Sequence, residues 1–213
     1  LLAANHSGQL PWDATMLATA ILTEHPAQRL ARALHPAWVP KTPFLSVWLT
    51  RMGQALATVE NGSRLLERGE LVATFPEGDD GLGKTFRNRY RLARFDPEFV
   101  QMALSREAPI IPLSIVGAEE TYPTLGHAPV LSRMIDLPHL PITLTFPWFG
   151  LLGLVPLPSK WFIDFGEPIP TDGFGPDGQS NLVLIAQLAD QVRHRIQSLL
   201  DDRLVRRRSV FFG

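Results

Sequence analysis

Short apolar runs alternate along this chain with stretches whose apolar residues recur at three- and four-residue steps. Leu1–Ala4 is one such run and reads as a short buried strand ending at a polar loop, Asn5-His6-Ser7. Gly8 and Pro11 punctuate that loop, and Pro11 suits a first helical position, where an N–H is unpaired in any case. Met16, Leu17, Ala20 and Ile21 then fall on one helical face. Further strands are predicted over 54–59, 71–75, 109–116, 143–146 and 161–165. A short helix is predicted over 61–68, and a second over 98–106 behind Asp96-Pro97. Near the end, Ile185, Leu188, Ala189, Val192, Ile196 and Leu199 form an apolar stripe opposite Asp190, Arg193, Arg195 and Gln197, the mark of an amphipathic helix. This alternation predicts an α/β fold, a single domain over 1–213 with a mixed, largely parallel sheet flanked by helices and a basic, aromatic tail over 205–213. Ligands of such sheets gather at the carboxyl ends of the strands. His6 follows the first strand and Glu77 follows the strand over 71–75, so both are expected at that end.

Composition narrows the chemistry. With 45% hydrophobic and 19% charged residues the chain is globular, not disordered. A net charge of −1 argues against a nucleic-acid partner. The absence of cysteine excludes disulfides, thiolate metal sites and a cysteine nucleophile, and it fits a reducing compartment. No serine sits in a Gly-x-Ser-x-Gly elbow. A base in this chain would therefore act on a hydroxyl of the substrate. The sequence opens on a core strand without a methionine, and a preceding segment is expected.

Asn5-His6, Asp13 seven positions after His6, and Phe75-Pro76-Glu77-Gly78 carry the candidate chemistry. An imidazole can take a hydroxyl proton while a carboxylate fixes its tautomer and stabilises the imidazolium. The plainer alternatives are a loop histidine that caps backbone groups, an Asp13 that complements the helix dipole, and a Pro-Glu-Gly turn after a strand.

Asn5-His6-Ser7-Gly8 with Asp13, Phe75-Pro76-Glu77-Gly78 and Ile110-Ile111-Pro112-Leu113 resemble the ordered blocks of the glycerolipid acyltransferases, a family that includes the lysophospholipid and 1-acylglycerol-3-phosphate acyltransferases. The resemblance runs from the first residues to about Pro170. It implies a glycerol-phosphate acyltransferase-like fold, His6 and Asp13 as catalytic pair, and Glu77 and Gly78 at the acceptor. It further implies a lipid acceptor with acyl-CoA or acyl-carrier protein as donor, no cofactor or metal, and a place on the cytoplasmic face of a membrane, peripheral or held by a preceding segment. Two departures stand out. Six residues separate His6 from Asp13 where the family has four, which requires a bulge at Gln9-Leu10. The family's phosphate-binding arginine is also missing from residues 53–61.

Lys84, Arg87, Arg89, Arg91 and Arg94 lie in a stretch without acids and are candidates for donor phosphates or an anionic head group; a solvated basic face is the alternative. Residues 140–159 hold no charged side chain. Four prolines and two glycines there argue against a spanning helix. A buried strand followed by an apolar loop is the plain expectation; a bilayer contact or acyl slot using Phe146, Trp148, Phe149, Leu151, Leu152 and Leu154 is the other. Two rival functions remain in view. Residues 78–85 match the phosphate-loop pattern G-x-x-x-x-G-K-[ST], although Asp79 and Asp80 would repel a bound phosphate. A non-catalytic lipid binder would keep the same blocks as scaffold.

Overall fold

The first strand, β1 (Leu2–Ala4), is buried on both faces, and its side chains alternate between two apolar clusters. The computed structural model describes residues 1–7, 12–42, 45–134, 138–175 and 177–212. After β1 come α1 (Trp12–Glu24), β2 (Ala31–His35), α2 (Leu45–Arg51), β3 (Ala55–Leu56), α3 (Val59–Glu67), β4 (Leu71–Thr74) and α4 (Gly78–Leu82). The second half runs α5 (Glu98–Leu104), β5 (Ile111–Val116), α6 (Ala118–Thr121), β6 (Thr124–His127), α7 (Pro129–Met134), β7 (Pro141–Thr143), β8 (Phe162–Phe165) and α8 (Leu182–Arg206).

Among the described residues the main sheet has the order β3-β2-β4-β1-β5-β8. All its pairings are parallel except β5 with β8, while β6 and β7 form a separate antiparallel pair. This is the mixed, largely parallel sheet that the alternation of elements predicts. α1 covers one face, packing Ala14, Leu17 and Ile21 with Leu2, Ala4, Ala73 and Leu113. On the other face, Phe99 and Val100 of α5 and Ile185, Val192, Ile196 and Leu200 of α8 pack with Leu1, Ala3 and Val116. β1 is thus a central strand with helices above and below, and its carboxyl end opens directly onto His6.

Several elements differ from their predicted form. The buried stripe of α1 is Asp13, Ala14, Leu17 and Ile21, with Met16 exposed, so a carboxylate sits on the core-facing side. Of residues 54–59 only Ala55 and Leu56 pair, because the Thr58 hydroxyl accepts from Asn61 N and starts α3 at Val59. The strand expected over 143–146 stops at Thr143, whose hydroxyl accepts from the amides of Thr145 and Phe146 and turns the chain. Beyond it the expected burial fails. β8 takes the sheet edge next to β5, β7 pairs only with β6, and the apolar side chains that follow stand in solvent.

Candidate active site

The ends of three strands, β1, β4 and β5, meet around His6. β1 leads into Asn5, whose side-chain amide donates to Ile115 O at 3.0 Å and accepts from Ile115 N at 2.7 Å. This side chain continues the β1–β5 ladder beyond the end of the strand and frees the next residue to leave the sheet. His6 then meets Asp13 through an Nδ1–Oδ2 hydrogen bond. Asp13 is fully buried; its Oδ2 also accepts from Ser7 N at 3.1 Å and its Oδ1 from Ala14 N at 2.7 Å. A carboxylate on Nδ1 selects the tautomer with the proton there, leaving Nε2 as the basic nitrogen. Among the described residues Nε2 has no protein partner. The proposed bulge at Gln9-Leu10, with Gly8 and Pro11, lies outside the described residues.

β4 delivers Phe75, whose ring centroid is 4.8 Å from that of His6, and then Glu77. The Glu77 side chain is wholly buried, and both its oxygens are engaged. Oε1 accepts from His6 N at 2.8 Å, and Oε2 accepts from Ala93 N at 2.8 Å and meets Lys84 Nζ at 3.2 Å. Glu77 therefore fixes the main chain of His6. Gly78 follows at φ +52°, a conformation glycine adopts without strain, and opens α4. Gly81 on that helix backs onto His6: a Cβ there would lie 2.7 Å from Glu77 Cβ and 2.8 Å from His6 Cβ. Gly81→Ala is expected to lower stability by about 1–3 kcal/mol, read from urea unfolding. An unchanged midpoint would show that the packing behind His6 is loose.

β5 ends at Val116, and Gly117 leads into Glu119 and Glu120 on α6, two buried carboxylates that the sequence reading passes over. Glu119 Oε1 lies 3.0 Å from Lys84 Nζ, and its Oε2 accepts from Tyr90 N at 3.0 Å. Lys84 is thus clamped between Glu77 and Glu119. Burial alone would lower its pKa, but the two carboxylates reverse this and hold it above the usual lysine range. Burial pushes Glu119 up despite the opposing pull of Lys84. The Glu120 carboxylate takes the Tyr90 hydroxyl and, at 2.9 Å, Arg207 Nη1 from the end of α8.

The five cations of 84–94 are therefore not one cluster. Lys84 is internal, whereas Arg87, Arg89 and Arg91 line an open groove with Arg207 and Arg208, and Arg94 lines another beside Gly78. The phosphate-loop reading also fails on geometry. Residues 78–82 form a helix in place of a phosphate cradle, and Lys84 is committed to two carboxylates. Recesses flank the His6 loop on two sides. One is apolar and lined by Ala14, Leu34, Trp38, Leu49, Phe75 and Leu82. The other is polar and lined by Ser7, Lys84, Thr85, Glu119, Tyr122 and Thr124. Among the described residues no helix is long and apolar enough to cross a membrane.

Comparison with known proteins gives concordant results. The sequence model of a family described as Acyltransferase matches residues 1–116, more than half of the chain. An uncharacterized protein of Mycobacterium tuberculosis (strain ATCC 25618 / H37Rv) is 47% identical over 214 residues, covering 100% of this chain and 60% of its own length. A Mycobacterium leprae protein, also uncharacterized, is 47% identical over the same span, 58% of its length. The chain thus spans about three-fifths of the length of these curated relatives. A Gallus gallus protein, described as a DGAT1/2-independent enzyme synthesizing storage lipids, is 26% identical over 68% of this chain and 41% of its own. In fold, the crystal structure of the 1-acyl-sn-glycerophosphate (LPA) acyltransferase PlsC from Thermotoga maritima superposes with a TM-score of 0.58. That match is at 15% identity and covers 98% of this chain and 67% of the other. With the family match over more than half its length, this chain belongs to the acyltransferase family that the model describes.

Proposed function

We propose that this chain moves a fatty acyl group from a thioester donor, acyl-CoA or acyl-carrier protein, to a hydroxyl of a glycerolipid or related lipid acceptor. The observation that carries the reading is the buried Asp13 carboxylate on His6 Nδ1, which leaves Nε2 as a base at the carboxyl end of the sheet. His6 Nε2 takes the acceptor's hydroxyl proton as its oxygen attacks the thioester carbonyl. The tetrahedral intermediate then collapses, the C–S bond breaks, and the imidazolium returns the proton to the departing thiolate. Asp13 orients the ring and stabilises its charge. Glu77 serves as a positioning residue through its bond to His6 N, with Lys84 and Glu119 holding it in turn.

The acceptor is an uncharged lipid alcohol in this reading. Lys84, the lysine of the polar recess, is already neutralised by two carboxylates, and the neighbouring arginines line other grooves. A phosphate entering the recess would find no unpaired cation among the described residues and would face Glu119. The name of the Gallus gallus relative supports the same acceptor class. The apolar recess suits hydrocarbon.

The test is thiol release from acyl-CoA and acyl-carrier protein in the presence of monoacylglycerol, diacylglycerol, a long-chain alcohol, lysophosphatidylcholine or lysophosphatidate. Neutral acceptors are expected to outpace lysophosphatidate by about tenfold or more. His6→Ala is expected to cost about 10²- to 10⁴-fold in kcat with the fold intact. An unchanged rate in that variant would sink the mechanism. No release with any acceptor would leave lipid binding without transfer.

A further inference from the structure

Residues 140–159 carry no charged side chain, and those beyond β7 project from the protein. Trp148 is 69% exposed, Phe149 66%, Leu151 83% and Leu152 76%. A contiguous apolar surface of this kind marks an interaction site. The loop that carries it is nevertheless well bonded from within. Phe149 N donates to Thr145 O at 3.0 Å, Gly150 N to Pro147 O at 2.8 Å and Val155 N to Leu152 O at 3.1 Å. The Thr145 hydroxyl donates to Gly153 O at 2.9 Å, and the Tyr122 hydroxyl donates to Leu154 O at 2.7 Å. Gly153 packs so tightly that a Cβ there would come within 2.5 Å of Thr145 O. An apolar tip whose backbone groups find partners internally meets the requirement of hydrocarbon, where no solvent can supply hydrogen bonds. Docking to a protein imposes no such requirement.

Cationic groups adjoin the loop. Five residues beyond its end at Val155, Lys160 N donates to Val210 O at 2.7 Å and lays the tail beside the strand that follows. Val210 shares a groove with Arg87, Arg89, Arg91 and Arg208, all four exposed. Phe211 and Phe212 follow at 59% and 90% exposure. Exposed guanidinium groups beside an apolar wedge complement anionic head groups. The wedge is also tied to the candidate active site, because the Tyr122 hydroxyl that covers Leu154 O accepts from Trp12 Nε1 at 3.0 Å, one residue before Asp13.

From this geometry we infer that the 144–155 loop is a wedge that enters a lipid bilayer, with the arginine groove resting on anionic phospholipid head groups and the His6 site on the same flank. The inference stands apart from the transfer reaction and can be tested without it. The chain contains no cysteine, so Leu151→Cys gives a single site for a nitroxide label. Val183→Cys is the control: it is exposed and near the far end of α8, about 35 Å from Arg206 at 1.5 Å per residue. On addition of phosphatidylcholine–phosphatidylglycerol vesicles, the label at 151 is expected to gain contact with dissolved oxygen and lose contact with an aqueous nickel chelate. The label at 183 is expected to change in neither. Trp148→Ser/Leu151→Ser/Leu152→Ser should keep its thermal melt, since all three side chains are exposed, and reduce vesicle binding by about tenfold or more. Arg87→Gln/Arg89→Gln/Arg91→Gln should abolish the preference for vesicles containing phosphatidylglycerol. A label at 151 that vesicles do not alter would overturn the inference. So would a label already shielded from nickel without lipid, which would assign the wedge to another copy or another part of the polypeptide. Equal binding of wild type to vesicles with and without phosphatidylglycerol would overturn the role of the arginines.

Discussion

Asp13→Asn is expected to lower kcat by about 10³- to 10⁴-fold while the protein stays folded. Asp13 Oδ2 receives His6 Nδ1–H and Ser7 N–H, and Oδ1 receives Ala14 N–H, so among the described residues each hydrogen bond of this carboxylate is with a donor. An asparagine keeps one acceptor and brings one donor. Placed toward His6, its NH₂ group forces the imidazole to hold its proton on Nε2, and the base is lost. Placed the other way, it sets the NH₂ group against Ala14 N–H. Neither arrangement stabilises the imidazolium as a carboxylate does. Thiol release with the best acceptor, measured beside a thermal melt, separates the two effects. Wild-type turnover in Asp13→Asn would mean that the aspartate serves the first turn of α1 and not the reaction.

Lys84→Met is expected to destabilise the protein by about 3–5 kcal/mol, because it leaves two carboxylates, Glu77 and Glu119, buried without their cation. The loss should depend on pH in a definite direction. Burial already raises the Glu119 pKa, and removing Lys84 takes away the pull that opposes it. A carboxyl whose folded pKa lies above its unfolded value binds more protons in the folded state, so stability falls as pH rises from the unfolded to the folded pKa. The variant should therefore regain stability on acidification from about pH 8 to about pH 5, visible in urea unfolding at the two pH values. Glu119→Gln added to Lys84→Met should recover part of the loss at the higher pH and flatten the dependence. A single variant as stable as wild type at both pH values would show that the carboxylates find other partners.

How much of this was open to reading depends on whether a residue's role is local. The strand before His6 and the stripe from Ile185 to Ile196 are patterns of near neighbours, and both appear where the periodicity puts them. β2 offers no such pattern. Ala31-Arg32-Ala33-Leu34-His35 lacks β-branched residues and becomes a strand because β4 and β3 pair with it on either side. The site divides in the same way. His6, Asp13 and Glu77 stand in blocks that can be matched along the chain, and the structure brings the three together. The partnership of Lys84 with Glu119 spans 35 positions and exists only because β5 carries α6 to the same sheet end. A signal was present in the acidic pair 119–120 directly behind an apolar strand, at the end where ligands gather. The exposure of Trp148 and Leu151 had no signal, since an apolar run reads alike whether it is covered or bare.

The late position of α8 has a consequence for synthesis. Every group assigned to the chemistry lies within the first 120 residues, yet one face of the sheet is closed by Ile185, Val192, Ile196 and Leu200. At 5–20 residues per second a ribosome needs about 4–16 s to travel the roughly 80 residues between Glu119 and Leu200. Throughout that interval the face that holds Ala3, Val72 and Val116 has α5 but lacks the cover of α8. A nascent chain paused before α8 should therefore bind a chaperone that one paused after it, with α8 clear of the exit tunnel, does not.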